Sequence, residues 1–517
     1  MSSLQTSTRP VLLAVLEYGE MPELLRVAES ARAAFDAPVI FMFVKRSYRR
    51  LVEDTSRVVD SGFLWMDSEG NLHEKAAAVT SAVSSIEAGE TPPPAEVRLP
   101  RVPEGRNFFA KLRIPLALAF FSFQSIFSAC RSSLRSVGRD VVNVLRDRKR
   151  FRARHAQLAS ILAKVQPRLL IVGQDSPGNE LSFLLIAAGR QKIPRLITPF
   201  AMFSIYETAE YALAQPSYQV DASAMNRVVA TVFPHWSLHY RGRQILRLPG
   251  YRAMALELTG LIKGMPWSPL SEPAEAITAN AAVAADALID LGHASQNLHV
   301  IGSPIQDRLA SHVQNKELIR ERLFLEHGLT PGRPLLVCGW PVNMFSWLGS
   351  KRIAYPDYQS VARAWTTILS EVRTRYGINI LISVHPKTLQ EEMAAAQEAK
   401  LPCTYANADE LVAVCDLFTT LNGSSITAWA IACGVPVVLF DCFLTRYPDF
   451  LDVAGCITVE TEEEFSGQLN RLCGDDEARR DLARLQASES TAWGVLDGKA
   501  GARLNELLIK LTDRNDR

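Results

Sequence analysis

Leu417-Phe418-Thr419-Thr420-Leu421-Asn422-Gly423-Ser424-Ser425-Ile426-Thr427 decides the fold. Residues 417–420 have the length and composition of a buried strand, and a helical pattern runs over 425–433. An amide, a glycine and a serine pair stand at the turn. A strand that passes so directly into a helix belongs to a parallel α/β sheet, whose strands are covered on both faces and read as continuous apolar runs.

The same alternation extends on both sides. Strands are expected at 335–338, 378–384, 436–440 and 456–459, with helices at 358–375, 389–400, 409–415 and 462–472. Thr330-Pro331-Gly332-Arg333-Pro334 breaks the chain before the first of them. This is a complete small doubly wound domain. A second set lies upstream. Strands at 11–16 and 38–44 flank a helix at 21–35, and the pattern resumes with strands at 168–173, 194–197, 276–278 and 298–301. Thr91-Pro92-Pro93-Pro94, an apolar stretch at 114–129 and a basic helical segment ending near 165 interrupt it. The fold class is therefore α/β, with two Rossmann-like doubly wound domains facing each other across a cleft. The expected boundaries are 1–312, with insertions near 91–165 and 200–273, then 313–485, then a helical tail at 486–517. Leu504, Leu507, Leu508 and Leu511 form one apolar face of that tail.

Composition narrows the function. A formal net charge of +1 over 517 residues gives no general reason to expect nucleic acid as a partner. Eight cysteines without a C-x-x-C pair read as reduced core thiols. The first residues lack a secretory signal, and no run reaches about 18 clean apolar residues, so a cytoplasmic protein is expected. The stretches 108–129 and 246–267 combine apolar residues with arginines and are candidates for contact with a membrane surface, against the alternative of packing on the protein's own core.

Ligands of open parallel sheets bind at the C-terminal ends of the strands. There Asn422, Gly423, Ser424, Ser425 and Thr427 offer close backbone approach, hydroxyls and the N–H groups of a helix start, an arrangement suited to a diphosphate. An ordinary capped junction would carry the same residues. His385 and Lys387 follow the strand at 378–384 and can donate to phosphate or nucleoside oxygens. Trp340 is either an aromatic wall or a packed core residue. Asp441 either faces a ribose or caps the residues after it.

His385-Pro386, Ala408-Asp409-Glu410-Leu411, Cys415-Asp416-Leu417, Asn422-Gly423-Ser424-Ser425 and Gly434-Val435-Pro436-Val437-Val438 together resemble the C-terminal half of GT-B glycosyltransferases. The nearest kin in pattern are bacterial surface-polysaccharide transferases, poly(glycerol phosphate) transferases and UDP-N-acetylglucosamine 2-epimerases. The resemblance implies a donor diphosphate at Ser424 and Ser425, supported by Gly423 and Thr427, with His385 beside the phosphates and no metal or other cofactor. It also implies that the apolar face of the tail crosses back onto the first domain near its first strands. The first half departs from the epimerases. Thr198-Pro199-Phe200-Ala201-Met202-Phe203 stands where they carry a His-x-Glu-Ala-Gly-Leu-Arg strand end. Transfer of a sugar from a nucleotide-sugar to a glycan or lipid-linked acceptor is therefore the expectation, with inversion. A sugar-nucleotide epimerase or hydrolase, a polyol-phosphate transferase and a catalytically degenerate scaffold are the alternatives. Inverting transfer needs a base for the acceptor proton. Asp175 and Glu17, at strand ends, and then Glu207 and Glu20, are the candidates, each against the alternative of a solvated or capping loop acid.

Overall fold

Val11–Val15 (β1), Val39–Phe43 (β2), Leu64–Met66 (β3), Leu72–His73 (β4), Leu169–Val172 (β5) and Arg195–Ile197 (β6) open the chain's strand series. The computed structural model describes residues 9–45, 50–75, 131–268, 270–348, 353–385 and 388–513. Ser237–Tyr240 (β7) pairs with Arg243–Leu246 (β8) as a separate antiparallel hairpin. Ala276–Ala279 (β9) and Leu298–Val300 (β10) complete an eight-stranded sheet in the order β10-β9-β6-β5-β1-β2-β3-β4. Its neighbours are parallel except β3 with β4. Every residue of β1, β2 and β5 is buried, which is why these strands appear in the sequence as unbroken apolar runs.

The second sheet contains Leu335–Gly339 (β11), Asn379–Ser383 (β12), Cys403–Thr404 (β13), Leu417–Leu421 (β14), Val437–Phe440 (β15) and Cys456–Val459 (β16). All neighbours are parallel, in the order β13-β12-β11-β14-β15-β16. Numbered within the sheet this is 3-2-1-4-5-6, the order of dinucleotide-binding sheets. Chain direction across the sheet reverses between β11 and β14 here, and between β1 and β5 in the first sheet. The crevice outside such reversal points is where ligands of this architecture bind. That rule points to the loops after β1, β5, β11 and β14.

The C-terminal helix Ala500–Asp513 leaves the second sheet and packs on the first. Leu504, Leu507, Leu508 and Leu511 share a buried cluster with Val11, Leu13, Met21 and Leu24. The Asp307 carboxylate closes the start of this helix, accepting from the Ala500 and Gly501 amides at 2.9 Å each. In the second domain Trp365 is fully buried, with ring centroids 4.8 Å from Phe465 and 5.6 Å from Phe440.

Two expectations change. The segment 389–400 is a 3-10 turn, Gln390–Met393, followed by the short helix Ala394–Glu398, and not one helix. Residues 246–267 belong to the protein interior: Leu246, Ala255, Leu256 and Trp267 are buried in its hydrophobic clusters. Packing on the protein's own core accounts for them, and they offer no apolar face to a membrane. The stretch 108–129 lies outside the described residues. Among the described residues no helix is long and apolar enough to cross a membrane, and the seven cysteines there are free thiols.

Candidate functional site

β14 delivers the chain into the cleft at Asn422, and Gly423 turns it with φ +86°. That conformation suits glycine, and a β-carbon there would also strike the ring of Tyr447. The helix that follows, Ile426–Ala432, begins tightly: the Thr427 and Ala428 amides reach only three residues back, to the Ser424 and Ser425 carbonyls. Ser425 occupies the cap position in helical geometry, φ −62° and ψ −21°, and its side chain makes no capping bond. The Ser425 and Ile426 amides bond to no described backbone carbonyl. Ser425 is exposed and Ser424 half-buried. The serines thus do not act as ordinary helix caps. Two buried polar atoms at the same turn, Asn422 Oδ1 and Thr427 Oγ1, have no hydrogen-bond partner among the described residues.

Asp441 does not face a ribose. It is fully buried at the end of β15, where it accepts from the Thr445 amide at 2.6 Å and the Thr445 hydroxyl at 2.7 Å, and also from the Arg446 amide. The Asn422 side chain donates at 3.2 Å to Oδ2, the oxygen that also takes the Arg446 amide, while both Thr445 bonds go to Oδ1. Burial holds its pKa above the usual aspartate range against these bonds. The carboxylate instead shapes the turn 444–447, in which Leu444 and Arg446 both adopt φ +53°. This turn aims Tyr447 back over Gly423.

The opposite wall comes from the first domain. Ser204 caps the helix Ile205–Ala214 and donates its hydroxyl to Asp449 Oδ2 at 3.0 Å. Arg241, at the tip of the β7–β8 hairpin, donates to the Thr445 carbonyl at 2.7 Å. Its Nε lies 3.3 Å from Glu210 Oε2, which also accepts from the Tyr240 hydroxyl at 3.0 Å. Burial pushes the Asp449 carboxyl up to about 6. It also raises the Tyr447 phenol far above its ordinary value, and the negative charge of Glu207 adds to that shift. The wall facing the serine turn is therefore the loop 199–204 and the helix carrying Glu207. Met202 of that loop packs against the same buried cluster as Ile426 and Trp429.

The other candidates fall elsewhere. Asp175 is fully buried and accepts from the Ser271 hydroxyl at 2.6 Å and the Glu272 amide at 3.0 Å. Burial raises it to about 7, but it is an interior strut and not an acid open to the cleft. Glu20 is also fully buried, bonded to the Leu16 amide and the Gln174 side chain, and raised to about 8 by burial. Glu17 is exposed, 3.9 Å from Lys45. Trp340 is a core residue: 3% exposed, with its indole N–H donating to the Glu392 carbonyl, so it forms no aromatic wall. His385 is exposed at the end of β12, and Lys387 lies outside the described residues. Sequence reasoning missed Tyr447, Asp449 and Arg241, which no local pattern marks. Alongside the serine helix an apolar cavity opens between the domains, lined by Met202, Val283, Leu288, Ser425, Trp429 and Trp493 among others.

No protein-family model matches the chain. No curated protein matches it in sequence. Solved structures match over its whole length. One is a putative UDP-N-acetylglucosamine 2-epimerase from Listeria monocytogenes, 11% identical, covering 99% of this chain and 98% of its own, with a TM-score of 0.50. Another is the UDP-GlcNAc 2-epimerase from Neisseria meningitidis, solved with UDP-GlcNAc bound, 11% identical, covering 97% and 100%, also at 0.50. At such identity the likeness speaks for the fold. Two mostly parallel sheets of Rossmann-like order, with the last helix of the chain returned to the first domain, make this chain a GT-B-fold protein.

Proposed function

We propose that the protein is a glycosyltransferase that holds a nucleotide-sugar in the cleft, with the diphosphate over Gly423, Ser424 and Ser425. The observation that carries this reading is the uncapped start of the helix Ile426–Ala432. Two amides and the cap serine's hydroxyl stand uncommitted to the helix at the end of a buried strand, where an anion is best served by preorganised donors. The fold-mate from Neisseria meningitidis was solved with UDP-GlcNAc bound, which supports a sugar nucleotide as the ligand. Thr427 sits behind the turn and Asn422 holds it to Asp441. His385 follows β12, which β11 separates from β14.

In the proposed reaction the acceptor hydroxyl attacks the anomeric carbon as its proton passes to Glu207. The bond from that carbon to the diphosphate oxygen breaks, and the leaving group keeps the electron pair. Its growing charge is met by the Ser425 and Ile426 amides without calling on a metal ion. Glu207 replaces Asp175 as the base because it lies in the first turn of the helix whose cap, Ser204, bonds Asp449 of the second domain, whereas Asp175 is sealed in the interior. The acceptor is a glycan or a lipid-linked sugar, entering from the first-domain side.

Calorimetric titration of UDP, GDP, CDP and their sugar conjugates tests the reading. One nucleotide series should bind at micromolar affinity, and its sugar should be released to an acceptor only when Glu207 is intact. A folded protein that binds none of the series overturns it.

A further inference from the structure

The outer face of the long helix Arg131–Val165 carries a feature that the nucleotide site does not use. Phe151, Leu158, Ile161 and Leu162 bury its inner face against the first domain. On the outer face Val142 is 62% exposed, Leu145 56% and Val141 38%. Arg139, Arg146, Lys149, Arg150 and Arg152 are exposed around them. Val142, Leu145, Lys149, Arg152 and Ala156 recur at three- and four-residue spacing, so they form one stripe.

Acids are missing from this face. The helix holds two, both turned away from the exposed stripe. Asp147 is buried, its carboxylate 3.8 Å from Arg252 and 3.8 Å from Arg146. Asp140 is half-buried, bonded to Ser223 and attracted by Arg139. Over the whole chain the charge balances almost completely, with 56 basic against 55 acidic residues. A five-cation surface without an acid is thus a local departure from the whole.

We infer that this face, centred on Val142 and Leu145, docks the protein on an anionic lipid bilayer. The two chemistries on it select the partner together. Cations alone would suit any polyanion, but Val142, Leu145 and Val141 gain from burial only where an apolar phase lies beneath the charged layer. Arginine and lysine stems reach past the valines to the headgroups while the apolar tips enter the boundary. The inference is independent of the nucleotide reading.

Flotation of the full chain with vesicles tests it. Vesicles of phosphatidylglycerol mixed with phosphatidylcholine should carry the protein upward at low salt, and pure phosphatidylcholine should not. Raising salt tenfold should weaken the partition, because the attraction is screened. Arg146→Ser, Lys149→Ser and Arg152→Ser together should lower it by about a hundredfold, at roughly fivefold for each cation near an anionic surface. Val142→Ser with Leu145→Ser should lower it at least fivefold, with circular dichroism confirming that both variants stay folded. Wild-type protein that remains at the bottom overturns the inference. So does a triple variant that floats as well as wild type. A Val142 and Leu145 variant that loses nothing, in a protein equally retained by soluble polyphosphate, would assign the face to a polyanion and overturn it as well.

Discussion

The ring of Tyr447 occupies the space that a side chain on Gly423 would need: a β-carbon built on the glycine would come 1.8 Å from the tyrosine Cε2. The glycine is also fixed by its backbone, at φ +86°. Gly423→Ala should therefore cost about 2–4 kcal/mol, combining the left-handed penalty with overpacking. Tyr447→Ala in the same chain should return the overpacking part. Urea unfolding of the single and double variants measures both, and a Gly423→Ala protein as stable as wild type would remove the tyrosine from its place over the turn.

Arg241 fastens the hairpin of the first domain to the turn of the second through the Thr445 carbonyl, while pairing with the buried Glu210. Arg241→Met leaves the Glu210 carboxylate without its cation and should destabilise the protein by about 3 kcal/mol or more. Glu210→Gln added to it should cost less than the sum of the single changes. A double-mutant cycle by chemical denaturation reads the coupling, and simple additivity would show that the pair contributes nothing.

The architecture was legible in the sequence because the strands of both sheets are buried on two faces. A run such as Val11–Val15 has no solvent side to interrupt its apolar residues. The serine turn was legible for a similar reason, since a glycine and two serines have no core role after a buried strand. Asp175 was misread because its partners, Ser271 and Glu272, lie 96 and 97 residues further on and pull it inward. Trp340 followed a strand end in sequence, but its indole turned to the Glu392 carbonyl. Tyr447, Asp449 and Arg241 carry no local signal at all. They come together only because Asp441 folds the turn 444–447 and the hairpin β7–β8 reaches across to it.

Glu20 should govern part of the pH dependence of stability. Burial raises it from the ordinary 4.5 to about 8, with no cation among the causes that oppose the shift. A raised carboxyl keeps its proton in the folded chain after the unfolded chain has lost it. Stability is therefore lost as pH rises from about 4.5 through about 8, at up to about 1.4 kcal/mol per pH unit for one proton. Glu20→Gln keeps an acceptor for the Leu16 amide and has no proton to lose. Its unfolding free energy should fall less steeply than that of wild type between pH 5 and 8, in a series of denaturation curves. Parallel slopes would show that Glu20 ionises in place at little cost.

The serine turn gives the sharpest test of the nucleotide site. The cap position at Ser425 makes no helix-capping bond, so removing its hydroxyl takes nothing from the helix, and Ser424 contributes to the turn through its backbone amide and carbonyl. Ser424→Ala with Ser425→Ala should therefore leave the unfolding free energy within about 0.5 kcal/mol of wild type. Affinity for the diphosphate should suffer instead. Hydrogen bonds to a charged group contribute about 1.5–3 kcal/mol each, and the amides of Ser425 and Ile426 survive the change. The double variant should then bind the nucleotide about tenfold or more weakly, since 1.4 kcal/mol is a factor of ten. Titration calorimetry on both proteins separates the outcomes. Lost stability with unchanged affinity would return the serines to a structural role. Unchanged stability with weakened affinity is what a diphosphate seated on the uncapped helix start requires.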